Sequence, residues 1–221
     1  MKNLAIIMSG GIGSRIGNET PKQLLKIGNE SILELSIKKF NEHPDIDSII
    51  IVSHKDLISI TEHIVKKRKF SKVQKIIPGG STRQLSSRSG VFASENDHDN
   101  ILIHDSARPF ISSETISMVI SGLEVEKAVI PVVDSSDTLI STNDKGFVKK
   151  YLERNVIKRV QTPQGFKRDI IVRAHKMAEE KSLVEFTDDS SMVVYFELSN
   201  VLLVNGDPLN IKITYREDLE N

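Results

Sequence analysis

Short, unbroken apolar runs alternate along the chain with segments whose apolar residues recur at helical spacing. Between the runs, Leu57, Ile60 and Ile64 fall on one face of a helix. This alternation predicts an α/β fold, a doubly wound, mostly parallel sheet that helices cover on both faces through right-handed crossovers. The runs that are predicted to be strands lie at 4–8, 48–52, 73–77, 101–103, 128–133 and 201–204. Gln74 and Lys75 interrupt the third of them.

Residues that cap helices mark where several helices begin. Ser31 is a suitable N-cap for a helix that starts at Ile32, and Ser112 or Ser113 for the helix before the fifth run. A further helix is expected at about 168–181.

The alternation of strands and helices breaks after the fifth run. Two short extended stretches flank an Asn-Asp-Lys-Gly turn at 143–146, which predicts a protruding β-hairpin arm at about 134–155. A two-stranded hairpin is marginal in water by itself, so we expect it to pack against another surface, for which a partner chain is one candidate. No repeat or low-complexity linker interrupts 1–221, which is predicted to form a single domain.

Composition narrows the class of protein. With 30 basic and 30 acidic residues among 221, the formal net charge is zero, which argues against a large nucleic-acid footprint. The chain has no cysteine, which excludes disulfides, thiolate metal sites and a cysteine nucleophile. No apolar segment reaches membrane-spanning length, and the first run is too short and glycine-rich for a signal peptide. We therefore expect a soluble, cytoplasmic protein.

The first apolar run leads directly into a glycine-rich loop. Its glycines are expected to allow positive φ and close approach of the backbone, so that several N–H groups point at one anion. Arg15 and Lys22 add two cations, which makes the loop suitable for a polyphosphate. The loop is not a Walker loop, because no Gly-Lys-Ser/Thr follows, and Gly17 misses the dinucleotide spacing by one residue. The stretch reads Ser9-Gly10-Gly11-Ile12-Gly13-Ser14-Arg15, with Pro21-Lys22 soon after.

A second glycine cluster, Gly79-Gly80-Ser81-Thr82-Arg83, follows the third run and opens a helix. Its N–H groups, with the hydroxyls of Ser81, Ser86 and Ser87, are suited to the polar edge of a base. The alternative is a serine-capped helix start. Because carboxyl ends of parallel strands share one edge of a sheet, we expect this cluster to lie near the first loop.

An acidic residue, Asp105, stands just past the fourth run in the stretch His104-Asp105-Ser106-Ala107-Arg108-Pro109. A carboxylate there is costly to desolvate unless it is paired or bound. It is suited to a ribose hydroxyl or a magnesium ion, or to an ion pair with Arg108 that orders the turn. We interpret His104 as structural.

The second half of the chain contributes fewer candidates: Arg154, Thr187 with Asp188-Asp189, and Lys212. Lys212 alternates with apolar neighbours, which is typical of a solvent-facing strand residue. Asp188-Asp189 is typical of a helix N-terminus. No His-Glu-x-x-His motif and no Ser–His–Asp order is present. Cations and N–H donors remain, and these are the groups that nucleotidyl transfer requires.

The motifs, in this order, resemble those of the cytidylyltransferases that activate small polyol phosphates, a family of Rossmann-like nucleotidyltransferases with 2-C-methyl-D-erythritol 4-phosphate and D-ribitol 5-phosphate members. The resemblance spans nearly the whole chain. It rests on Gly-Gly-Ile-Gly-Ser-Arg with Pro21-Lys22-Gln23, Gly79-Gly80-x-x-Arg83, the 104–109 stretch, Asp137-Thr138, Gln161-Thr162-Pro163-Gln164, Thr187-Asp188-Asp189 and Asn210-Ile211-Lys212-Ile213-Thr214.

The resemblance implies transfer of CMP from CTP to a polyol phosphate, with Mg²⁺ assisting and pyrophosphate leaving. It implies a homodimer in which the arm, with Thr138 and Arg154, reaches the partner chain. The implied catalytic residues are Arg15, Lys22, Arg154 and Lys212. The implied CTP-binding residues are Ser9, Gly10, Gly11, Gly13, Gly80, Ser81, Arg83, Ser86 and Asp105. The implied acceptor-binding residues are Asp105, Thr138, Arg154, Thr187 and Lys212, with Asp105 also the candidate metal ligand.

Departures from the family pattern bear on the acceptor. Ser9-Gly10-Gly11 is closer to ribitol-type members than the Ala-Ala-Gly of the isoprenoid group, and Ile140 replaces a lysine that is usual there. Ser81 stands where an acidic residue is common. The stretches 187–191 and 164–166 match the isoprenoid group. We favour 2-C-methyl-D-erythritol 4-phosphate as acceptor, with ribitol 5-phosphate and a non-catalytic nucleotide-binding domain as the alternatives.

Overall fold

The computed structural model describes residues 1–11, 20–215 and 217–219. Within these ranges the strands are β1 (Asn3–Ser9), β2 (Lys26–Ile27), β3 (Glu30–Ser31), β4 (Ser48–Ser53), β5 (Val73–Pro78), β6 (Asn100–Asp105), β7 (Ala128–Asp134), β8 (Ile140–Thr142), β9 (Val148–Tyr151), β10 (Lys158–Val160), β11 (Gln164–Lys167) and β12 (Leu202–Asn205). The α-helices are α1 (Ile32–Glu42), α2 (Ile58–Arg68), α3 (Arg83–Phe92), α4 (Ser113–Val125), α5 (Arg168–Glu180) and α6 (Asp189–Tyr195).

The central strand, β1, lies in a sheet of eight strands in the described part of the chain. β5, β4, β1 and β6 pair in that order, and every pairing among them is parallel. β11 is antiparallel to both β6 and β7. β7 also pairs in parallel with β12 and antiparallel with β10. The predicted mostly parallel α/β sheet is confirmed, and all six predicted strands are present.

The short strand β11 is not predicted by the sequence, yet it joins the two halves of the sheet. Its four residues, Gln-Gly-Phe-Lys, are too few to show strand alternation. Gly165 allows α4 to pack directly on β11, because an added Cβ would lie 2.5 Å from Val119 Cγ1. Phe166 is completely buried. Tertiary packing, rather than local pattern, therefore defines this strand.

Alternate residues of β1 face two separate cores. Ala5 and Ile7 pack in the core that contains Leu33 of α1. Ile6 packs on the other side, in the core that contains Val91 of α3. The carboxyl end of β1 therefore emerges between α1 on one face of the sheet and α3 on the other.

The capping residues predicted for two helices are present. Ser31 caps α1 in a capping box, in which Ser31 Oγ accepts from Glu34 N and Ser31 N donates to Glu34 Oε2. Ser112, rather than Ser113, caps α4 by accepting from Thr115 N at 3.2 Å. No helix in the described ranges has both the length and the apolarity needed to cross a bilayer.

The hairpin at the predicted arm position consists of β8 and β9, which pair with each other and form a sheet separate from the main one. Gly146 in its turn has a φ of 80°, which favours glycine. Phe147 and Tyr151 are each 67% exposed. The hairpin thus presents large apolar side chains to its surroundings.

Candidate functional site

A cleft of about 510 Å³ lies at the carboxyl ends of β1, β4, β5 and β6. Open parallel sheets bind ligands at this edge. The polar clusters that follow the first, third and fourth predicted strands line the cleft. The residues after the fifth predicted strand, at 134–138, border other cavities. The predicted site residues that line the cleft are Ser9, Gly10, Gly11, Lys22, Gly80, Ser81, Arg83, Ser86, Asp105 and Lys212.

The glycine-rich loop is described only up to Gly11, so Gly13 and Arg15 lie outside the described residues. Neither Gly10 nor Gly11 has a φ in the left-handed region, and the expected positive φ is therefore wrong at these two positions. Close approach does explain Gly10, because an added Cβ would lie 3.2 Å from Ser86 Oγ. Gly10 thus lets the end of β1 meet the first turn of α3.

The loop between β5 and α3 is held in shape by Ser86. Gly80 N donates to Ser86 Oγ at 3.1 Å, and Ser86 Oγ donates to Thr82 O at 2.9 Å. An added Cβ on Gly80 would lie 2.5 Å from Leu85 Cβ, so the loop packs closely on α3. Thr82 caps α3, which leaves the exposed Ser81 available to a ligand and makes the serine-capped interpretation wrong.

Four charged side chains, from four separate parts of the chain, form a continuous series at one side of the cleft. Lys212 Nζ donates to Asp105 Oδ2 at 2.7 Å, and Arg83 Nε donates to Asp105 Oδ1 at 3.3 Å. Arg83 Nη1 then donates to Asp189 Oδ2 at 2.8 Å. Burial opposes ionisation of Asp105, but the charges of Arg83 and Lys212 outweigh it and hold the pKa of Asp105 well below its usual range.

Two sequence-based interpretations at this series are wrong. Asp105 does not form an ion pair with Arg108, whose guanidinium donates instead to Asn210 O at 2.7 Å and to Val160 O at 3.2 Å. The turn is closed by Arg108 N, which donates to Asp105 O at 2.9 Å. Lys212 is not an outward strand lysine, because its segment is not a strand and its ammonium contacts Asp105.

The segment that carries Lys212 is fixed by buried amides. Gln161 Nε2 donates to Asp207 O at 2.8 Å, and Asn210 Nδ2 donates to Thr162 O at 2.9 Å. Gln161 and Asn210 are both buried. These bonds explain why the Gln-Thr-Pro-Gln and Asn-Ile-Lys motifs, far apart in sequence, belong to one site.

Lys22 enters the cleft from a short 3₁₀ helix at Lys22–Leu24. Its Nζ donates to the carbonyl oxygen of Ile213 at 2.9 Å, next to Lys212 in the sequence. Gln23 is buried and donates from Nε2 to Ser9 O at 3.2 Å, which anchors the segment to β1. Two lysines from opposite ends of the chain therefore reach the same cleft.

Three predicted acceptor-side residues do not line this cleft. Arg154 Nη2 donates to Thr138 Oγ1 at 3.3 Å beside a separate cavity of about 190 Å³ at the base of the arm. Thr187 is exposed and precedes Asp188, the N-cap of α6. Within the described chain, these three side chains are not brought together with Asp105 and Lys212.

Asp189, which the sequence indicates only as one of a pair of aspartates typical of a helix N-terminus, is a member of the charged series. It is completely buried and accepts from Ser87 Oγ and Arg83, with His175 Nε2 at 3.4 Å. The Ser87 hydroxyl therefore donates to Asp189, whereas the sequence predicted that it would bind the polar edge of a base. Asp188 has the helix-terminal role that the sequence indicates, because it is the N-cap of α6 and accepts from Ser191 N at 2.8 Å. Only the fold distinguishes the two adjacent aspartates.

A magnesium ion fits this site as a companion of a bound phosphate. Asp105 is the acidic residue among those that line the cleft, and no group of three or more His, Cys, Asp or Glu ligands occurs in the described part of the chain. Mg²⁺ commonly uses one or two carboxylates together with substrate phosphates and water. Asp105, whose two oxygens accept from Lys212 and Arg83, would be the protein ligand of such an ion.

His104 is fully buried next to Asp105 and has a structural role, as expected. Its Nε2 lies 3.1 Å from Arg108 O, and its Nδ1 lies 3.0 Å from Thr162 Oγ1, which accepts from Asp105 N. These partners fit a neutral ring that donates from Nε2. Burial lowers the pKa of His104 to about 4.

We expect the free energy of unfolding to fall as the pH is lowered from about 6.5 towards 4. The unfolded chain protonates His104 near its ordinary pKa of about 6.5, whereas the folded chain does so only near pH 4. The unfolded state binds more protons in this window, so a lower pH favours it. Urea unfolding at about pH 7 and pH 5 measures the change. His104→Gln should show a smaller pH dependence, and an unchanged one would contradict this explanation.

The chain is similar over nearly its whole length to proteins of one family. The family model described as 2-C-methyl-D-erythritol 4-phosphate cytidylyltransferase matches residues 3–221. Proteins of that name from Clostridium tetani and Clostridium novyi are 38% and 40% identical to the chain, covering 99% of it and 87% and 94% of their own lengths. A solved 4-diphosphocytidyl-2C-methyl-D-erythritol synthase from Anaerococcus prevotii superimposes with a TM-score of 0.88 at 30% identity, over 99% of this chain and 93% of that one. The chain therefore belongs to the 2-C-methyl-D-erythritol 4-phosphate cytidylyltransferase family.

Proposed function

We propose that the chain transfers CMP from CTP to 2-C-methyl-D-erythritol 4-phosphate and releases pyrophosphate. The observation that carries the proposal is the composition of the cleft, in which the loop at Gly80 and Ser81 and the cations Lys22 and Lys212 line one cavity of about 510 Å³. We assign the base of a nucleotide to the loop and its phosphates to the lysines. Relatives that carry this activity in their names support the choice of acceptor.

The reaction requires charge stabilisation more than covalent catalysis by the protein. A phosphate oxygen of the acceptor attacks the α-phosphorus of CTP, a new P–O bond forms, and the bond to the β-phosphate oxygen breaks. Lys22, with Arg15 outside the described residues, is assigned to offset the negative charge that builds on the leaving pyrophosphate. N–H groups of Gly10 and Gly11 are assigned to the phosphates.

The base and ribose are assigned to the wall formed by α3 and β6. Gly80, Ser81 and Ser86 surround the base, and their close packing gives this pocket a fixed shape. Arg83 holds Asp105 through a hydrogen bond of 3.3 Å, which orients the carboxylate towards the ribose and the acceptor. Mg²⁺, when bound by the phosphates and Asp105, would supply further charge neutralisation.

The acceptor is assigned to the Lys212 side of the cleft. Thr187 lies two residues before Asp189, at the other end of the charged series, and does not line the cleft. Thr138 and Arg154 are assigned to the acceptor of a partner chain, because within one chain they lie at the arm and not at the cleft. The exposed apolar side chains of the arm support a homodimer. Sedimentation velocity tests this assembly, since a single-chain mass at micromolar concentration would contradict it.

An acceptor assay tests the proposal directly. The protein is incubated with CTP, Mg²⁺ and either 2-C-methyl-D-erythritol 4-phosphate or D-ribitol 5-phosphate, and pyrophosphate release is measured. We expect faster release with the methylerythritol acceptor. A preference for ribitol 5-phosphate would overturn the acceptor, and CTP binding without release from either would favour a non-catalytic nucleotide-binding domain. We also propose that the reaction takes place in the cytoplasm.

A further inference from the structure

Asp218 does not line the cleft, yet its carboxylate holds the segment of chain that follows Lys212. Asp218 Oδ2 accepts from Thr214 N at 2.7 Å and from Tyr215 N at 2.9 Å. Hydrogen bonds from main-chain N–H groups to an ionised carboxylate are stronger than those between neutral groups. The Asp218 side chain therefore closes a turn of the main chain directly after the Lys212 segment.

The residue before this turn, Ile213, connects the two lysines of the cleft. Its side chain is completely buried, and its N donates to Ala107 O at 2.8 Å. Its carbonyl oxygen accepts from Lys22 Nζ at 2.9 Å. Lys212, which precedes it in the chain, contacts Asp105. The main chain at Ile213 thus sets the position of the Lys22 ammonium group by direct contact and that of Lys212 through the chain.

The segment 210–215 forms neither a helix nor a strand, so its path depends on individual anchors. At its start, Asn210 Nδ2 donates to Thr162 O at 2.9 Å. At its end, the anchor is the Asp218 carboxylate. The two main-chain bonds lower the pKa of Asp218, and the charge of Lys22 acts in the same direction. Asp218 is therefore ionised at neutral pH and lies within the electrostatic reach of Lys22.

We propose that Asp218 is a positioning residue, which acts through the turn that it closes to hold the ammonium groups of Lys22 and Lys212 in place. The inference rests on the proposed function and adds a residue that is not assigned to either substrate. Charged groups that stabilise a transition state must be held in place before the reaction. A displacement of about 1 Å can lower a rate by about 100-fold.

Asp218→Ala should lower kcat for pyrophosphate release by roughly 10- to 100-fold, because the turn loses both anchoring bonds. Asp218→Asn should retain most of the wild-type kcat, because an amide oxygen can accept the same two bonds. Both proteins should have melting temperatures close to that of the wild type, since the carboxylate is not buried. Steady-state rates over a range of CTP and 2-C-methyl-D-erythritol 4-phosphate concentrations give kcat and KM.

Double variants test whether Asp218 acts through the lysines. In Lys22→Ala or in Lys212→Ala, one of the groups that Asp218 holds is already absent. Asp218→Ala should therefore lower kcat by a smaller factor in these backgrounds than in the wild type. Equal factors in all three backgrounds would show that Asp218 acts elsewhere and would overturn the proposal.

Asp47 provides a matched control. Its Oδ2 accepts from Asn3 N at 2.6 Å at the amino end of β1, the end opposite the cleft. Asp47→Ala removes a bond of the same kind and should keep the wild-type kcat. A loss of kcat as large as that in Asp218→Ala would indicate general destabilisation and contradict a positioning role.

A wild-type protein that releases no pyrophosphate with either acceptor would refute the proposed function and, with it, the role of Asp218. In an active wild type, an unchanged kcat in Asp218→Ala would refute only the role of Asp218. A fall of kcat in Asp218→Asn as large as that in Asp218→Ala would show that the charge acts rather than the anchoring bonds, and it would overturn positioning through the turn.

Discussion

Lys22→Ala is expected to lower kcat by roughly 10²- to 10³-fold, the effect typical of removing one preorganised group that stabilises a developing anion. Lys22 Nζ is held by the carbonyl oxygen of Ile213 at 2.9 Å and lines the cleft. Its charge is therefore placed before the reaction begins and needs no rearrangement as pyrophosphate leaves. Steady-state release of pyrophosphate, measured over a range of CTP concentrations, separates kcat from KM.

Two variants make the Lys22 test specific. Lys26→Ala removes an exposed lysine four residues away that does not line the cleft, and it should retain the wild-type kcat. Lys22→Arg keeps the positive charge with a different shape, and its kcat should lie between those of the wild type and Lys22→Ala. All three proteins should have melting temperatures close to that of the wild type, because none leaves a buried charge. A wild-type rate from Lys22→Ala would refute its assigned role.

Asp189→Ala is expected to have the largest effect on stability, about 3–5 kcal/mol, because it removes one partner of a buried ion pair. Asp189 is completely buried, and its carboxylate accepts from Arg83 and Ser87. Burial opposes its ionisation, but the charge of Arg83 outweighs this and lowers the pKa of Asp189. Its loss leaves the Arg83 guanidinium without its shortest contact. For a chain of this size, the melting temperature should fall by roughly 10 °C.

The adjacent aspartate serves as the control. Asp188→Ala removes the N-cap of α6, a change that typically costs about 1 kcal/mol. Asp189→Asn should be less destabilising than Asp189→Ala, since it keeps the shape of the side chain. Urea unfolding of the three variants gives the order of their free energies of unfolding. If Asp189→Ala were no more destabilising than Asp188→Ala, the ion pair with Arg83 would not be the main interaction of Asp189.

A consequence for activity should accompany the loss of stability. Arg83 bridges Asp189 and Asp105. Without the contact to Asp189, the guanidinium can move, and it then no longer holds the Asp105 carboxylate in place. We expect the folded Asp189→Asn protein to show a raised KM for CTP. An unchanged KM together with lower stability would indicate a structural role alone.

The strands around the cleft could be predicted because each is a short apolar run that ends at glycine or a polar cluster. β1, β4 and β6 are buried in a parallel sheet, and such strands have continuous apolar sequences, whereas β5 at the edge of the sheet is only partly buried. Ligands bind beyond the carboxyl ends of such strands, so the sequence alone predicted that Ser9, Gly80 and Asp105 lie close together. The local pattern around the glycine-rich loop also assigned Lys22 to the phosphates. Resemblance to a known family supplied the assignment of Lys212, whose own local pattern favoured a solvent-facing strand residue.

Thus the order of apolar runs and polar clusters along the chain determined the fold class and the edge of the sheet at which the cleft lies, because both follow from local periodicity and strand direction. Only the tertiary structure decided that β11 lies between β6 and β7, that Lys212 pairs with Asp105 rather than facing solvent, and that Asp189 rather than Asp188 is buried against Arg83. These contacts join residues more than 30 positions apart. Their strength depends on burial and on the charge of the partner, and neither is visible in the sequence near each residue.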